Sequence, residues 1–256
     1  EPYRRQRQMC IRDRGRLLYD HVSEAFEALN EGEEKLKRSI ELGVGQLKIG
    51  VSSTLCKYML LPYLKEFIHR NPHISISIEC QSTNETLKLL DDDKIDIGLI
   101  GKPASLKTFN FYYLDNIEDI FVTTKDYLRN LSARGVKKSE ILQNSTLMLL
   151  DKGNMTRKYI DDYLQENQIH VKDSIDISNM DLLIDFAKIG VGVACVIKSI
   201  VSKELADGTL IEIPLGIPIH KREVGFAYKE SSKLSTSLQT FIKLSLIHIS
   251  EPTRPY

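Results

Sequence analysis

Residues 46–72 read QLKIGVSSTLCKYMLLPYLKEFIHRNP. Leu47, Ile49 and Val51 alternate as a buried strand, and the run stops at three hydroxyl residues, Ser52, Ser53 and Thr54. Leu60, Leu61, Leu64, Phe67 and Ile68 then recur at helical spacing. The hydroxyls therefore stand at a mouth, where the carboxyl end of a strand meets the amino end of a helix. Free backbone N–H groups and the positive end of the helix dipole make such a junction the place where α/β proteins hold carboxylate, phosphate or hydroxyl groups. Taken alone, the segment is most economically a plain Ser/Thr helix cap.

The same grammar recurs downstream. Ile74, Ile76 and Ile78 alternate as a second strand that ends before Ser82, Thr83 and Asn84, and Leu87, Leu89 and Leu90 carry a short helix. The acidic turn Asp91–Asp93 is consecutive rather than spaced to converge on a metal, so it reads as solvated. Ile95–Ile100 is a third strand, ending in Gly101 and Lys102. This strand–helix alternation implies a parallel sheet with right-handed crossovers.

Phe111–Thr124 reads as extended chain leading into a second unit. There a strand at Leu147–Leu150 ends in a polar mouth that includes Lys152, Asn154, Met155 and Thr156, and a helix carrying Tyr159, Ile160, Tyr163 and Leu164 follows. Ile175 and Ile177 form a strand leading to Ser178 and Asn179, with a helix over Asp181–Lys188. Gly190 and Gly192 flank an expected strand, Val191–Val196; Thr209–Ile213 and Val224–Tyr228 are further strands, and Leu238, Phe241 and Ile242 mark a last helix. Four polar mouths in two similar halves point to a ligand cleft between two lobes rather than to caps alone.

Upstream, Gly15–Leu42 is an uninterrupted helical pattern in which Leu18, Val22, Ala25, Leu29 and Leu36 fall on one narrow stripe. That is a coiled-coil seam, expected to pair protomers into a homodimer or tetramer; the alternative is that it packs on its own domain. Residues 1–14 (EPYRRQRQMCIRDR) and 245–256 (SLIHISEPTRPY) continue neither neighbour's periodicity. Both resemble translated sequencing-adapter DNA and are expected to be non-native read-through.

Composition removes several classes. Lys plus Arg and Asp plus Glu each total 35, so no net charge steers the 256-residue chain onto nucleic acid. No apolar run approaches the roughly 18 residues of a membrane span. Cys10, Cys56, Cys80 and Cys195 lack metal-ligand spacing and suggest neither zinc nor a disulfide framework, which fits reduced thiols in a cytoplasmic protein. No phosphate-cradling loop, dinucleotide fingerprint or nucleophile elbow is present, and the histidines supply no nucleophile–base set. Neither catalysis nor a cofactor or metal is expected.

In order along the chain, GRLLYDHVSEAFEAL (Gly15–Leu29), LKIGVSSTL (Leu47–Leu55), LLPYLKEFIHRNP (Leu60–Pro72), LKLLDDDKIDIGLI (Leu87–Ile100), GNMTRKYIDDYL (Gly153–Leu164) and SNMDLLIDFAKIGVGVACVIKSIV (Ser178–Val201) resemble a LysR-type transcriptional regulator lacking its winged helix-turn-helix. The resemblance implies two Rossmann-like subdomains joined by two crossover strands, a type 2 periplasmic-binding-protein-like α/β fold behind a linker helix. It places residues 15–43 in that helix, 44–121 and 223–244 in subdomain I, and 122–222 in subdomain II. A small-molecule effector would meet Ser52, Ser53 and Thr54, then Ser82 and Thr83, then Gly101 and Lys102, and from the other lobe Asn154, Met155, Thr156, Ser178 and Asn179. DNA would be contacted only through the missing N-terminal domain. Helix N-termini together with Lys102, Lys152 and Arg157 favour an anionic effector. Two positions depart from the family pattern: Ser82 stands where Gly is frequent, and Ile197 where Pro usually follows the Gly-x-Gly strand. The competing class is a free-standing solute-binding protein of the same fold, which has no use for a linker helix.

Overall fold

The computed structural model describes residues 15–16, 18–19, 21–33, 45–103, 105–106, 108–229 and 235–250, with only the backbone of 245–250. Its strands are β1 (Gly45–Val51), β2 (Ile74–Cys80), β3 (Ile97–Gly101), β4 (Phe109–Ile117), β5 (Asp119–Thr123), β6 (Thr146–Leu150), β7 (Asp173–Ile177), β8 (Val193–Ile197), β9 (Ile211–Glu212) and β10 (Arg222–Lys229). They form two five-stranded sheets, ordered β2-β1-β3-β10-β4 and β7-β6-β8-β5-β9. In each, three strands are parallel: β1 between β2 and β3, and β6 between β7 and β8. The parallel trio of the first sheet is the one the strand–helix alternation implies; the remaining pairs are antiparallel. β10 runs antiparallel to β3 and β4, and β5 antiparallel to β8 and β9, because a chain arriving from the other lobe enters against the local direction.

The first passage between sheets lies between Ile117 and Asp119. The expected division at 121/122 therefore falls inside β5, where Asp119 already faces Ile197 of the second sheet. Only Glu118 and Asp119 separate Ile117 from Ile120, with no Gly or Pro, so no strong chain punctuation marks the change of sheet. On the return, Arg222 belongs to β10 and hence to the first sheet, one residue earlier than expected.

Local chemistry explains the other departures. The helix Met180–Lys188 closes with Gly190 at φ +77, its N–H donating to the Ala187 carbonyl while the Val191 N–H donates to Phe186. This Schellman turn uses Val191, so β8 starts at Val193. The strand expected at Thr209–Ile213 shrinks to Ile211–Glu212. The helix Lys125–Ala133, unread in the sequence, is capped by Thr124 Oγ1 accepting from the Tyr127 N–H; of its residues only Leu131 is fully buried.

The largest core cluster runs from Leu47, Ile49 and Val51 through Ile117, Ile120 and Ile197 at the crossing into Met148 and Leu150. In the first lobe, Phe67 and Phe226 both meet Phe241 of the C-terminal helix Thr236–Ser250 edge-to-face, at 5.2 Å between centroids. Each such pair adds about 0.5–1.5 kcal/mol beyond the area buried, which ties that helix to the first sheet. Residues 21–33 form one helix, with 15–16 and 18–19 also helical. Leu18 (65% exposed) and Leu29 (68%) keep most of their surface in solvent, and Val22 and Ala25 are exposed too. Leu36, residues 1–14 and 34–43, and 251–256 lie outside the described residues.

Candidate effector cleft

Each of the four mouths is built by a capping side chain. Ser52 Oγ accepts from the Leu55 N–H and Ser82 Oγ from the Glu85 N–H, both at 3.3 Å. Asn154 Oδ1 accepts from the Thr156 N–H and Asn179 Oδ1 from the Leu182 N–H, both at 2.9 Å. Capping satisfies donors that the first helical turn would otherwise leave free. It uses only the oxygens, so the Ser52 and Ser82 hydroxyls and the Asn154 amide keep protons to donate.

Three mouths converge. Ser52, Thr54, Ser82, Thr83, Gly101, Asn154, Met155 and Thr156 line one small cavity of about 40 Å³ at the junction of the lobes, with Leu55, Ile117, Ile197 and Arg222 completing the wall. Thr83 is 8% exposed, and its hydroxyl makes no hydrogen bond among the described residues. Ser53 and Ser178 are solvent-exposed and, with Lys102 and Asn179, lie outside this lining.

Lys102 Nζ turns to Glu223 at 2.5 Å, over the Phe111 ring. Lys152 is exposed. Arg157 is buried beneath the second sheet, its Nε on Asp161 at 2.8 Å and its Nη1 on the Leu150 carbonyl at 3.0 Å and on Asp176. The three cations read from the sequence therefore do not reach the cavity, and the one that does is Arg222. Its Nε and Nη2 clamp the fully buried Asp119 at 2.7 and 2.9 Å, Nη2 also reaches Thr156 Oγ1 at 3.2 Å, and the guanidinium lies over the Tyr159 ring. Nη1 makes no hydrogen bond among the described residues. Asp119 opens β5 and Arg222 opens β10, so this bidentate pair joins the two crossing segments at the edge of the cleft. Sequence reasoning missed Arg222 because nothing local distinguishes it; only the pairing of distant strands brings it under the Asn154 mouth.

Ile197 takes φ −77 and ψ 123, a backbone a proline also adopts, so the departure from the family pattern leaves the path after Val196 intact. The fourth mouth turns away from the cavity toward the first lobe. Asp181 Oδ1 there accepts from Lys57 Nζ at 2.7 Å and from the Tyr58 hydroxyl at 2.5 Å. These bonds hold the Asp181 carboxyl below its ordinary pKa.

Two α/β lobes joined by two crossing segments, with polar strand-to-helix mouths meeting between them, define a two-lobed ligand-binding domain. A family model described as the LysR substrate binding domain matches residues 41–248, and the chain belongs to that family. Among its relatives are YeiE of Escherichia coli K12, described as an uncharacterized HTH-type transcriptional regulator, and the transcriptional activator CmpR of Synechocystis sp. YeiE is 23% identical over 237 residues, covering 92% of this chain and 78% of YeiE. CmpR is 24% identical over 248 residues, covering 94% and 79%. Among solved structures, the Synechocystis CcmR regulatory domain in complex with 2-PG superposes with a TM-score of 0.69 at 18% identity, over 81% of this chain and 99% of that one. The effector-binding domain of QuiR in complex with shikimate gives 0.66 at 16% identity, over 82% and 99%. No described helix is long and apolar enough to cross a membrane.

Proposed function

We propose that this chain senses a small anionic effector in the cleft between its lobes and transmits binding to the oligomer of a LysR-type regulator, whose DNA contacts lie in a winged helix-turn-helix outside these 256 residues. One observation carries the reading: the cavity is lined by donors from three helix starts and by Arg222, and none of its lining residues is acidic. An acceptor-rich anion suits such a wall, because each donor gains a charge-assisted partner and the helix dipoles add to the attraction. No catalytic role is assigned.

The exposed stripe of Leu18, Val22, Ala25 and Leu29 supports the regulator over a free-standing solute receptor, since an unpaired apolar seam wants a second helix. A thermal-shift screen of the chain against small carboxylates, amides and amines tests the effector class. Stabilisation by carboxylates is expected, and stabilisation by neutral or cationic compounds alone overturns it. The solution mass tests the partner: a dimer or larger is expected, and a strict monomer at high concentration removes the oligomer from the proposal.

A further inference from the structure

The cleft is too small to hold a whole effector. About 40 Å³ is room for a few waters, each of which needs about 10–15 Å³. Sites that enclose entire small molecules run from about 300 to 1,000 Å³. A second cavity of about 390 Å³ falls in that range and abuts the first, with Thr54, Leu55, Ile117 and Ile197 belonging to both walls.

This chamber has a different chemistry. Its own lining includes Tyr58, Met59, Pro62, Tyr63 and Ile200 together with the polar Asn116 and Ser199, with no Lys or Arg, and its one charged residue is Asp115. Burial, and after it the nearby Asp115 charge, push the Tyr63 hydroxyl's pKa up. Part of the chamber wall stands on a local irregularity. Residues Cys56–Leu60 form a π-turn, wider than an α-helical one, and Tyr58 and Met59 sit on it. A carboxylate would meet Asp115 in the chamber but hydroxyl, amide and guanidinium donors in the cleft, among them the Thr83 hydroxyl, which makes no hydrogen bond among the described residues. The two cavities therefore suit the two ends of one molecule.

We infer that the effector is an amphipathic monocarboxylate whose charged head occupies the cleft at Thr83, Thr156 and Arg222, while its apolar body fills the chamber between Met59, Tyr63 and Ile200. This rests on the anionic reading of the cleft and adds the rest of the molecule to it. Asp115 sets a further selectivity, disfavouring a second carboxylate at the far end.

Titration calorimetry on the full chain with four probes tests this: 3-phenylpropionate, acetate, glutarate and 3-phenyl-1-propanol. The expected order is 3-phenylpropionate at least ten-fold tighter than each of the others. Met59→Trp, which fills the chamber, removes that advantage and leaves acetate binding unchanged; Ile200→Phe does the same by a second route should the first variant fold poorly. Thr83→Val weakens both monocarboxylates several-fold. If the alcohol binds as tightly as the acid, or Met59→Trp leaves the preference intact, the head-and-body assignment is wrong although the cleft still takes an anion. If the alcohol binds and no acid does, the anionic reading falls with it, and no binding by any probe at millimolar concentration overturns the inference as well.

Discussion

The helices that start at Asn154 and Asn179 lie in the same lobe, follow parallel strands of the same sheet and are capped by the same side chain at the same distance. They do different things. The Asn154 mouth opens on the cleft beside a buried bidentate pair, Arg222 on Asp119, with Asp119 fully inaccessible. The Asn179 mouth opens on the rim, where Asp181 meets Lys57 and Tyr58 of the first lobe with about half of the Asp181 side chain in solvent. Identical local grammar therefore yields a cavity wall in one place and an inter-lobe clasp in the other. The element across the gap decides between them.

The largest expected contrast comes from removing the acid at each mouth. Asp119→Ala leaves Arg222 largely buried and unpaired, which costs about 3–5 kcal/mol of folding stability, whereas Asp181→Ala breaks a solvated pair and leaves stability nearly unchanged. Denaturant titration of both variants reads this directly; similar losses would mean that burial does not separate the two bridges.

Next in size is the contrast between the caps. Asn154→Ala and Asn179→Ala each remove one helix cap and should each cost about 1 kcal/mol. Only Asn154→Ala is expected to weaken effector binding, by ten-fold or more, because only Asn154 lines the cleft. Equal effects on binding would make the two mouths functionally alike and remove the distinction.

The sequence made the mouths legible but not their partners. Ser52, Ser82, Asn154 and Asn179 stand out because a polar run between a strand pattern and a helix pattern has few other uses, and each is indeed a cap. Which of them face one another depends on the two crossings, and Ile117-Glu118-Asp119 carries no Gly or Pro to betray the first. Lys102 and Arg157 illustrate the limit. Both are cations beside a mouth in sequence, yet a long side chain reaches whichever carboxylate the fold supplies, Glu223 for one and Asp161 with Asp176 for the other. Arg222 stands beside none of the mouths in sequence and arrives in the cleft from the far end of the chain.

The clasp at the fourth mouth should be pH-dependent in a defined direction. Hydrogen bonds from Lys57, then from Tyr58, lower the Asp181 pKa below its ordinary value. A carboxylate with a depressed folded-state pKa stabilises the fold above its unfolded pKa, about 3.9, and loses that contribution as pH falls through the lower folded value. The melting temperature of the wild type should therefore exceed that of Asp181→Asn slightly at pH 7, by a margin that shrinks with added salt and falls away as pH drops below the unfolded value toward the lower folded one. A margin that does not shrink at all on acidification would place the clasp's contribution in packing rather than in charge.

A further contrast sharpens the same comparison from the second mouth. Thr86, one turn into the helix that Ser82 caps, is fully buried, and its hydroxyl has no partner. Thr83, three residues earlier, is 8% exposed and borders the cleft, so its hydroxyl reaches the cavity and is not sealed in the core as that of Thr86 is. An orphaned buried hydroxyl costs stability, and replacing it by a methyl of the same shape recovers about 1 kcal/mol. The Thr86 methyl already fills the space above Gly98, where a Cβ would lie 2.6 Å from it, so the valine needs no added room on that side. Thr86→Val should thus raise the melting temperature with no change in effector affinity, whereas Thr83→Val is expected to bring no such gain and to weaken binding. If neither substitution touches affinity, the second mouth, like the fourth, does not hold the ligand.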